Sequence, residues 1–159
     1  MENKIKLLVM DVDGTLTDGK IYIGPDGEAM KAFDVKDGYG IACILPELGI
    51  IPVIITGRES KIVANRAKEL GITELYQGID NKLIQLKKVA EKYNVTPKEI
   101  AYIGDDLNDF ECIEYCGFSA CPNDAVEEVK NAVDYVCKYD GGRGSVRCII
   151  GALGRLNSE

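Results

Sequence analysis

Three short runs in this chain, Ile5 to Met10, Ile51 to Ile55 and Ile100 to Ile103, are almost wholly apolar, with no alternation of polar and apolar residues. A strand with one wet face alternates, whereas a strand covered on both faces does not. These runs therefore require a parallel sheet sandwiched between layers of helix. Shorter candidates at Leu75-Tyr76, Phe118-Ser119 and Tyr135-Val136 extend the sheet. Between them lie segments of helical period. Val63, Ala67 and Leu70 precede Gly71 as a stop, and Leu83, Leu86, Ala90 and Tyr93 form a second stripe. Thr96-Pro97-Lys98-Glu99 reads as a capping box that starts a short helix before the third run. The alternation predicts an α/β fold, a Rossmann-like doubly wound parallel sheet. One segment interrupts it. Gly24-Pro25-Asp26-Gly27 is turn chemistry between two short strands, which predicts a β-hairpin inserted after the first strand, at about 18–34. With 159 residues, no linker and no internal repeat, one domain over 1–159 is expected, ending in a glycine-rich tail at about 140–159.

Composition restricts the chemistry. The chain has no histidine, which excludes Ser-His-Asp and Cys-His nucleophiles and every histidine-ligated metal site. Acid–base work must then fall to carboxylates, Lys, Tyr or Cys. A net charge of −7 disfavours nucleic acid as a partner, since phosphate backbones require clustered Lys and Arg. No signal-peptide pattern and no apolar run of membrane-spanning length is read, so a cytoplasmic protein without a membrane partner is expected. The six cysteines lack C-x-x-C spacing and are expected to be reduced thiols.

In a parallel sheet the carboxyl ends of the strands line the ligand crevice. There the first strand ends in Asp11-Val12-Asp13-Gly14-Thr15 and the third run is followed by Gly104-Asp105-Asp106-Leu107-Asn108-Asp109. Alone, the first motif could be a solvated Asx turn, and a calcium loop is excluded by Thr15 and Leu16 at the fifth and sixth positions. Together the two acid clusters make an oxygen-ligand site suited to Mg²⁺. Thr56-Gly57-Arg58 follows the second run with a hydroxyl and a tight backbone, and Lys82 near the start of the second helical stripe supplies a fixed cation. A nucleophilic carboxylate, a second carboxylate, a hydroxyl, a lysine and a metal site at one sheet edge are the parts of phosphoryl transfer through an aspartyl-phosphate.

These four motifs resemble, in order and placement, those of the haloacid dehalogenase superfamily. The resemblance implies that Asp11 attacks phosphorus and that Asp13 protonates the leaving oxygen and then activates water. It implies that Thr56 and Lys82 hold the phosphoryl oxygens. Mg²⁺ would be bound by Asp11, Asp13 (through its backbone carbonyl) and Asp105, with Asp106 in an outer position and Asp109 orienting either a metal-bound water or Lys82. Members usually carry a cap. The segment after the first motif offers only the hairpin, and the 25 residues from Gly57 to Asn81 are already used by a helix and a short strand, so no cap domain is expected. A neighbouring subunit would then cover the site.

Thr17-Asp18-Gly19, Phe33 to Gly40, Thr56-Gly57-Arg58-Glu59, Tyr76-Gln77-Gly78, Asn81-Lys82-Leu83 and Gly141-Gly142-Arg143-Gly144 are similar, more narrowly, to the 3-deoxy-D-manno-octulosonate 8-phosphate phosphatase family. That resemblance implies a capless homotetramer acting on a phosphorylated sugar acid in lipopolysaccharide biosynthesis. Ile21, Tyr22 and Ile23 would lie at an interface, and the glycine-rich segment would reach a neighbour's active site with Arg143 near the substrate. Arg58 and Arg143 would meet the sugar-acid carboxylate beside Gly57, because a planar guanidinium engages a carboxylate bidentately. Three other readings stay open: a phosphatase for a 9-carbon sugar-acid phosphate, a receiver-like phosphoacceptor, and a non-catalytic assembly module.

Overall fold

A computed structural model describes residues 4–159. Six parallel strands form the sheet: β1 (Leu7–Met10), β4 (Ile51–Ile55), β5 (Glu74–Tyr76), β6 (Ile100–Ile103), β7 (Phe118–Cys121) and β8 (Tyr135–Val136), in the spatial order β5-β4-β1-β6-β7-β8. A separate antiparallel hairpin, β2 (Tyr22–Gly24) and β3 (Gly27–Met30), follows β1. The helices are α1 (Val35–Tyr39), α2 (Leu45–Leu48), α3 (Lys61–Glu69), α4 (Lys82–Tyr93), α5 (Phe110–Tyr115), α6 (Glu127–Lys130) and α7 (Ser145–Ser158).

The central strand β1 explains why its sequence does not alternate. Leu8 and Met10 pack with Ile54, Ile103 and the α7 residues Val146, Ile149, Ile150 and Leu153, while Leu7 and Val9 pack with Val53, Tyr102 and the α4 residues Leu86 and Val89. Every side chain of β1 is buried, half in each layer. At about 25 cal/mol per Å² of apolar surface, each large aliphatic side chain buried this way contributes roughly 1.5–3 kcal/mol. Register pairs Leu7 with both Ile51 and Ile100, which brings the carboxyl ends of β1, β4 and β6 to one level.

Local signals place the helices. Ser60 and Asn81 cap α3 and α4 by accepting from the backbone N–H groups of Val63 and Ile84. The expected capping box at Thr96 and Glu99 forms and starts a single 3₁₀ turn, Pro97–Glu99. Sheet pairing starts at Leu7, two residues later than the apolar run. The second hairpin strand stops at Met30, within the expected 18–34 segment. The helical stretch over 35–48, which includes a π-helical turn at Gly40–Ile44, has no clear periodic signal because glycines and a proline interrupt it. Packing explains it: a Cβ at Gly40 would stand 2.9 Å from Ile150 Cδ1, so glycine lets this segment lie against α7.

Between β1 and α1 there is only the hairpin, and between β4 and α4 only α3 and β5, so neither insertion point carries a cap domain. Among the described residues no helix is long and apolar enough to cross a membrane. The six cysteines are free, with Cys112, Cys121 and Cys137 buried.

Candidate active site

The loops leaving β1, β4 and β6 enclose a cavity of about 260 Å³ lined by Asp11, Asp13, Gly19, Thr56, Gly57, Arg58, Asp105, Asp106 and Asn108. Nine of the ten residues singled out from the sequence thus meet there or directly behind it. Asp11 ends the central strand, its backbone N–H donating to Ile103 on β6. Thr56 is buried and fixed at both backbone ends, its N–H donating to Tyr76 and its carbonyl accepting from Ile79.

Behind the cavity sits Lys82, at the first position of α4. Its Nζ donates to Asp11 Oδ1 at 2.9 Å and to Asp109 Oδ1 at 2.9 Å, with all three side chains less than a tenth exposed. Asp109 is saturated by donors. Oδ1 also accepts the Tyr102 hydroxyl at 2.6 Å, and Oδ2 accepts the backbone N–H groups of Asp105 at 3.0 Å and Asp106 at 3.3 Å. Its carboxylate therefore pins the acid loop to the lysine. Asp106 is exposed and accepts from the N–H of Leu107.

The acids are more numerous than the cations that face them. Burial pushes Asp11 up to about 6, aided by the charge of Asp109 and opposed by Lys82. Burial, then the charge of Asp11, pushes Asp105 up to about 8. Carboxylate oxygens of Asp11, Asp105 and Asp109 lie within 4.8 Å of one another. A crowded, oxygen-only donor set with excess negative charge fits a hard divalent cation such as Mg²⁺. Gly14 is required for that crowding: its φ is +91°, and a Cβ there would fall 1.8 Å from Asp105 Oδ2.

Asp13 is held from the hairpin. Lys31 Nζ donates to Asp13 Oδ1 at 2.6 Å and stands 3.0 Å from Glu28 Oε2. Glu28 in turn accepts from Ser60 Oγ at 2.5 Å and lies 3.8 Å from Arg58 Nη2. Sequence reading missed Lys31, Glu28 and Tyr102. Charged hairpin residues ordinarily face solvent, and an aromatic on a buried strand ordinarily reads as core. The one available signal was the apolar run Ile21 to Ile23 on the same hairpin, which implies that its polar residues turn the other way.

Arg143 is not brought to this cavity. It lines a neighbouring groove with Asp18, Ala32 and Gly142. The glycine-rich segment rests on its own chain, since a Cβ at Gly141 would be 2.1 Å from the Gly14 carbonyl oxygen and one at Gly142 would be 2.6 Å from Asp18 N. These glycines allow two backbones to touch, which braces the Asp13–Asp18 loop from behind.

Comparison with known proteins agrees with this geometry. Residues 71–147 match the haloacid dehalogenase-like hydrolase family. The chain is 50% identical over 143 residues to 3-deoxy-D-manno-octulosonate 8-phosphate phosphatase KdsC of Escherichia coli, covering 90% of this chain and 76% of that one. The crystal structure of 3-deoxy-D-manno-octulosonate 8-phosphate phosphatase from Yersinia pestis superposes with a TM-score of 0.93 at 42% identity, over 97% of this chain and 83% of that one. That of the Moraxella catarrhalis phosphatase, in complex with magnesium ion, phosphate ion and KDO, gives 0.92 at 41% identity, over 97% and 88%. Six-stranded core, missing cap, paired acid loops and this similarity together make the chain a member of the 3-deoxy-D-manno-octulosonate 8-phosphate phosphatase family of haloacid dehalogenase-like hydrolases.

Proposed function

We propose that this phosphoric monoester hydrolase acts on 3-deoxy-D-manno-octulosonate 8-phosphate, releasing the sugar acid and inorganic phosphate, and so supplies lipopolysaccharide biosynthesis. The observation that carries the mechanism is the Asp11–Lys82 pair, buried behind an open cavity that Asp13 also faces. With Oδ1 tied to Lys82, Oδ2 of Asp11 is the oxygen left to attack phosphorus. As the P–O bond to C8 breaks, Asp13 passes a proton to the departing oxygen, leaving an aspartyl-phosphate. Asp13 then takes a proton from water, whose oxygen attacks phosphorus and frees Asp11.

Lys82 and the Thr56 hydroxyl hold the phosphoryl oxygens through both steps, the lysine by charge and the threonine by its fixed position. Asp11, Asp13 through its backbone carbonyl, and Asp105 would hold Mg²⁺. When bound, that ion neutralises phosphoryl charge as a Lewis acid. Asp106 and Asp109 order the loop around those ligands. Arg58, half exposed at the rim beside Gly57, is placed to take the sugar-acid carboxylate.

A homotetramer in which neighbours cover the site is part of the same reading. It is supported by the hairpin, where Ile21, Tyr22, Ile23 and Met30 are exposed, Ile23 by 65%. In that assembly Arg143 of one protomer would approach the substrate of another. The compartment proposed is the cytoplasm, where free thiols stay reduced.

The test is phosphate release from a panel of 8-carbon and 9-carbon sugar-acid phosphates and hexose phosphates, with and without Mg²⁺. The highest kcat/KM is expected for the 8-carbon substrate, with none after Asp11→Asn. Equal or higher kcat/KM for the 9-carbon acid, or turnover that survives Asp11→Asn, would overturn it.

A further inference from the structure

The hairpin is built inside out. Its apolar residues face solvent, with Ile23 65% and Met30 58% exposed, while the Lys31 side chain is 1% exposed and that of Glu28 15%. Lysine is among the side chains least often buried, and burying one costs several kcal/mol unless partners restore its lost hydration. Here both partners are carboxylates, and one is Asp13. A hairpin serving only as a contact surface between protomers has no need to bury this ion pair.

The pair links two loops that would otherwise move separately. Lys31 grips the loop after β1 through Asp13. Glu28, on β3 just before Lys31, grips the start of α3 through Ser60 Oγ, two residues past Arg58. Asp13 has no other side-chain partner among the described residues, so the direction of its carboxyl group rests on Lys31. A carboxyl that must hand a proton to a leaving oxygen has to sit within hydrogen-bond reach of it, and an error of 1 Å costs orders of magnitude in rate.

We infer that Lys31, anchored by Glu28, is a positioning residue that aims Asp13 at the leaving-group oxygen, which makes the hairpin part of each protomer's own catalytic apparatus. This rests on the role proposed above for Asp13. The consequence is specific to the leaving group. An alkoxide from C8 of a sugar must be protonated as it departs, whereas p-nitrophenolate leaves without a proton. Loss of Lys31 therefore impairs the sugar substrate and spares the aryl one in the step that kcat/KM reports, formation of the aspartyl-phosphate.

The experiment measures kcat/KM of the full chain with Mg²⁺ on 3-deoxy-D-manno-octulosonate 8-phosphate and on p-nitrophenyl phosphate. Lys31→Met is expected to lose on the order of 10²-fold or more on the sugar phosphate and to stay within about threefold on the aryl phosphate; Asp13→Asn is expected to lose activity on both, with the greater loss on the sugar phosphate. Lys31→Arg should recover part of the difference, and Glu28→Gln should show the same bias more weakly. Should Lys31→Met fail to fold, by circular dichroism and gel filtration, the ratio in Lys31→Arg and Glu28→Gln decides. Equal losses on both substrates, or no loss on either, would overturn the inference. If Asp13→Asn keeps its bias while the Lys31 and Glu28 variants match the parent, the inference alone fails. If Asp11→Asn still turns over, the proposed function fails with it.

Discussion

Tyr102 and Asp109 meet in the interior, the phenol donating to a carboxylate oxygen at 2.6 Å with neither side chain in contact with water. The same oxygen accepts from Lys82, so a strand residue and a helix residue share one acceptor on the acid loop. Asp109→Ala leaves Lys82 and two backbone N–H groups short of a partner and is expected to cost about 3–5 kcal/mol, with phosphatase activity reduced at least tenfold. Tyr102→Phe removes a single bond to a charged group, worth about 1.5–3 kcal/mol, while Lys82 keeps both its carboxylates. Urea unfolding and phosphate release on the two variants check the order.

Crowding of Asp11 and Asp105 predicts a metal-linked stability. Chelation is expected to abolish turnover and Mg²⁺ to restore it. Thermal unfolding of the parent should shift upward with Mg²⁺, by roughly 2–3 kcal/mol at about a hundred times Kd. Asp105→Asn should be no less stable than the parent without metal, because it removes repulsion, and should lose the Mg²⁺ response.

Asp37, remote from the metal site, caps α7 from a distance: its Oδ1 accepts from the backbone N–H of Arg147 at 2.9 Å. Burial, the largest cause, pushes its pKa up to about 6 from an ordinary 3.8. A carboxyl whose pKa is higher folded than unfolded binds more protons in the folded state between those two values. The stability it contributes is present below the lower value and is lost as pH rises through about 6. Asp37→Asn keeps the acceptor and cannot ionise. Relative to the parent it should gain up to about 3 kcal/mol between pH 4 and pH 7.5, read as a pH-dependent difference in urea midpoints.

Gly141 and Gly144 predict opposite kinds of damage. Gly141→Ala drives a methyl group into the Gly14 carbonyl, 2.1 Å away, and should cost about 1–3 kcal/mol and lower kcat by displacing the Asp13 loop. Gly144 has open space around it but a φ of +96°, so Gly144→Ala should cost about 1 kcal/mol through backbone strain with little effect on kcat. Paired stability and turnover measurements separate the two.

Exposed apolar residues on the hairpin predict the assembly state. Light scattering is expected to give four times the 17.4 kDa chain mass for the parent and a smaller species for Ile23→Asp.

The sheet and its acid loops were legible in the sequence because their signals are local and obligatory. A strand buried on both faces must be apolar throughout, as Leu7 to Met10 are, and a metal-ready acid cluster must leave such a strand at its carboxyl end, as Asp11 and Asp105 do. Lys82 was legible only because it joined an ordered set. Tertiary structure alone decided the direction of side chains that local pattern leaves free. Which face of an isolated hairpin turns inward depends on what it packs against, so Lys31 could not be assigned to Asp13 from its neighbours in sequence. Asp109 could have faced a metal or a lysine, and the packing of α4 behind β6 gave it Lys82 and Tyr102. Gly141 and Gly142 read equally as a loose connector or a reaching tail. Within the chain they form a contact surface, because only a backbone without side chains can brace another at van der Waals distance.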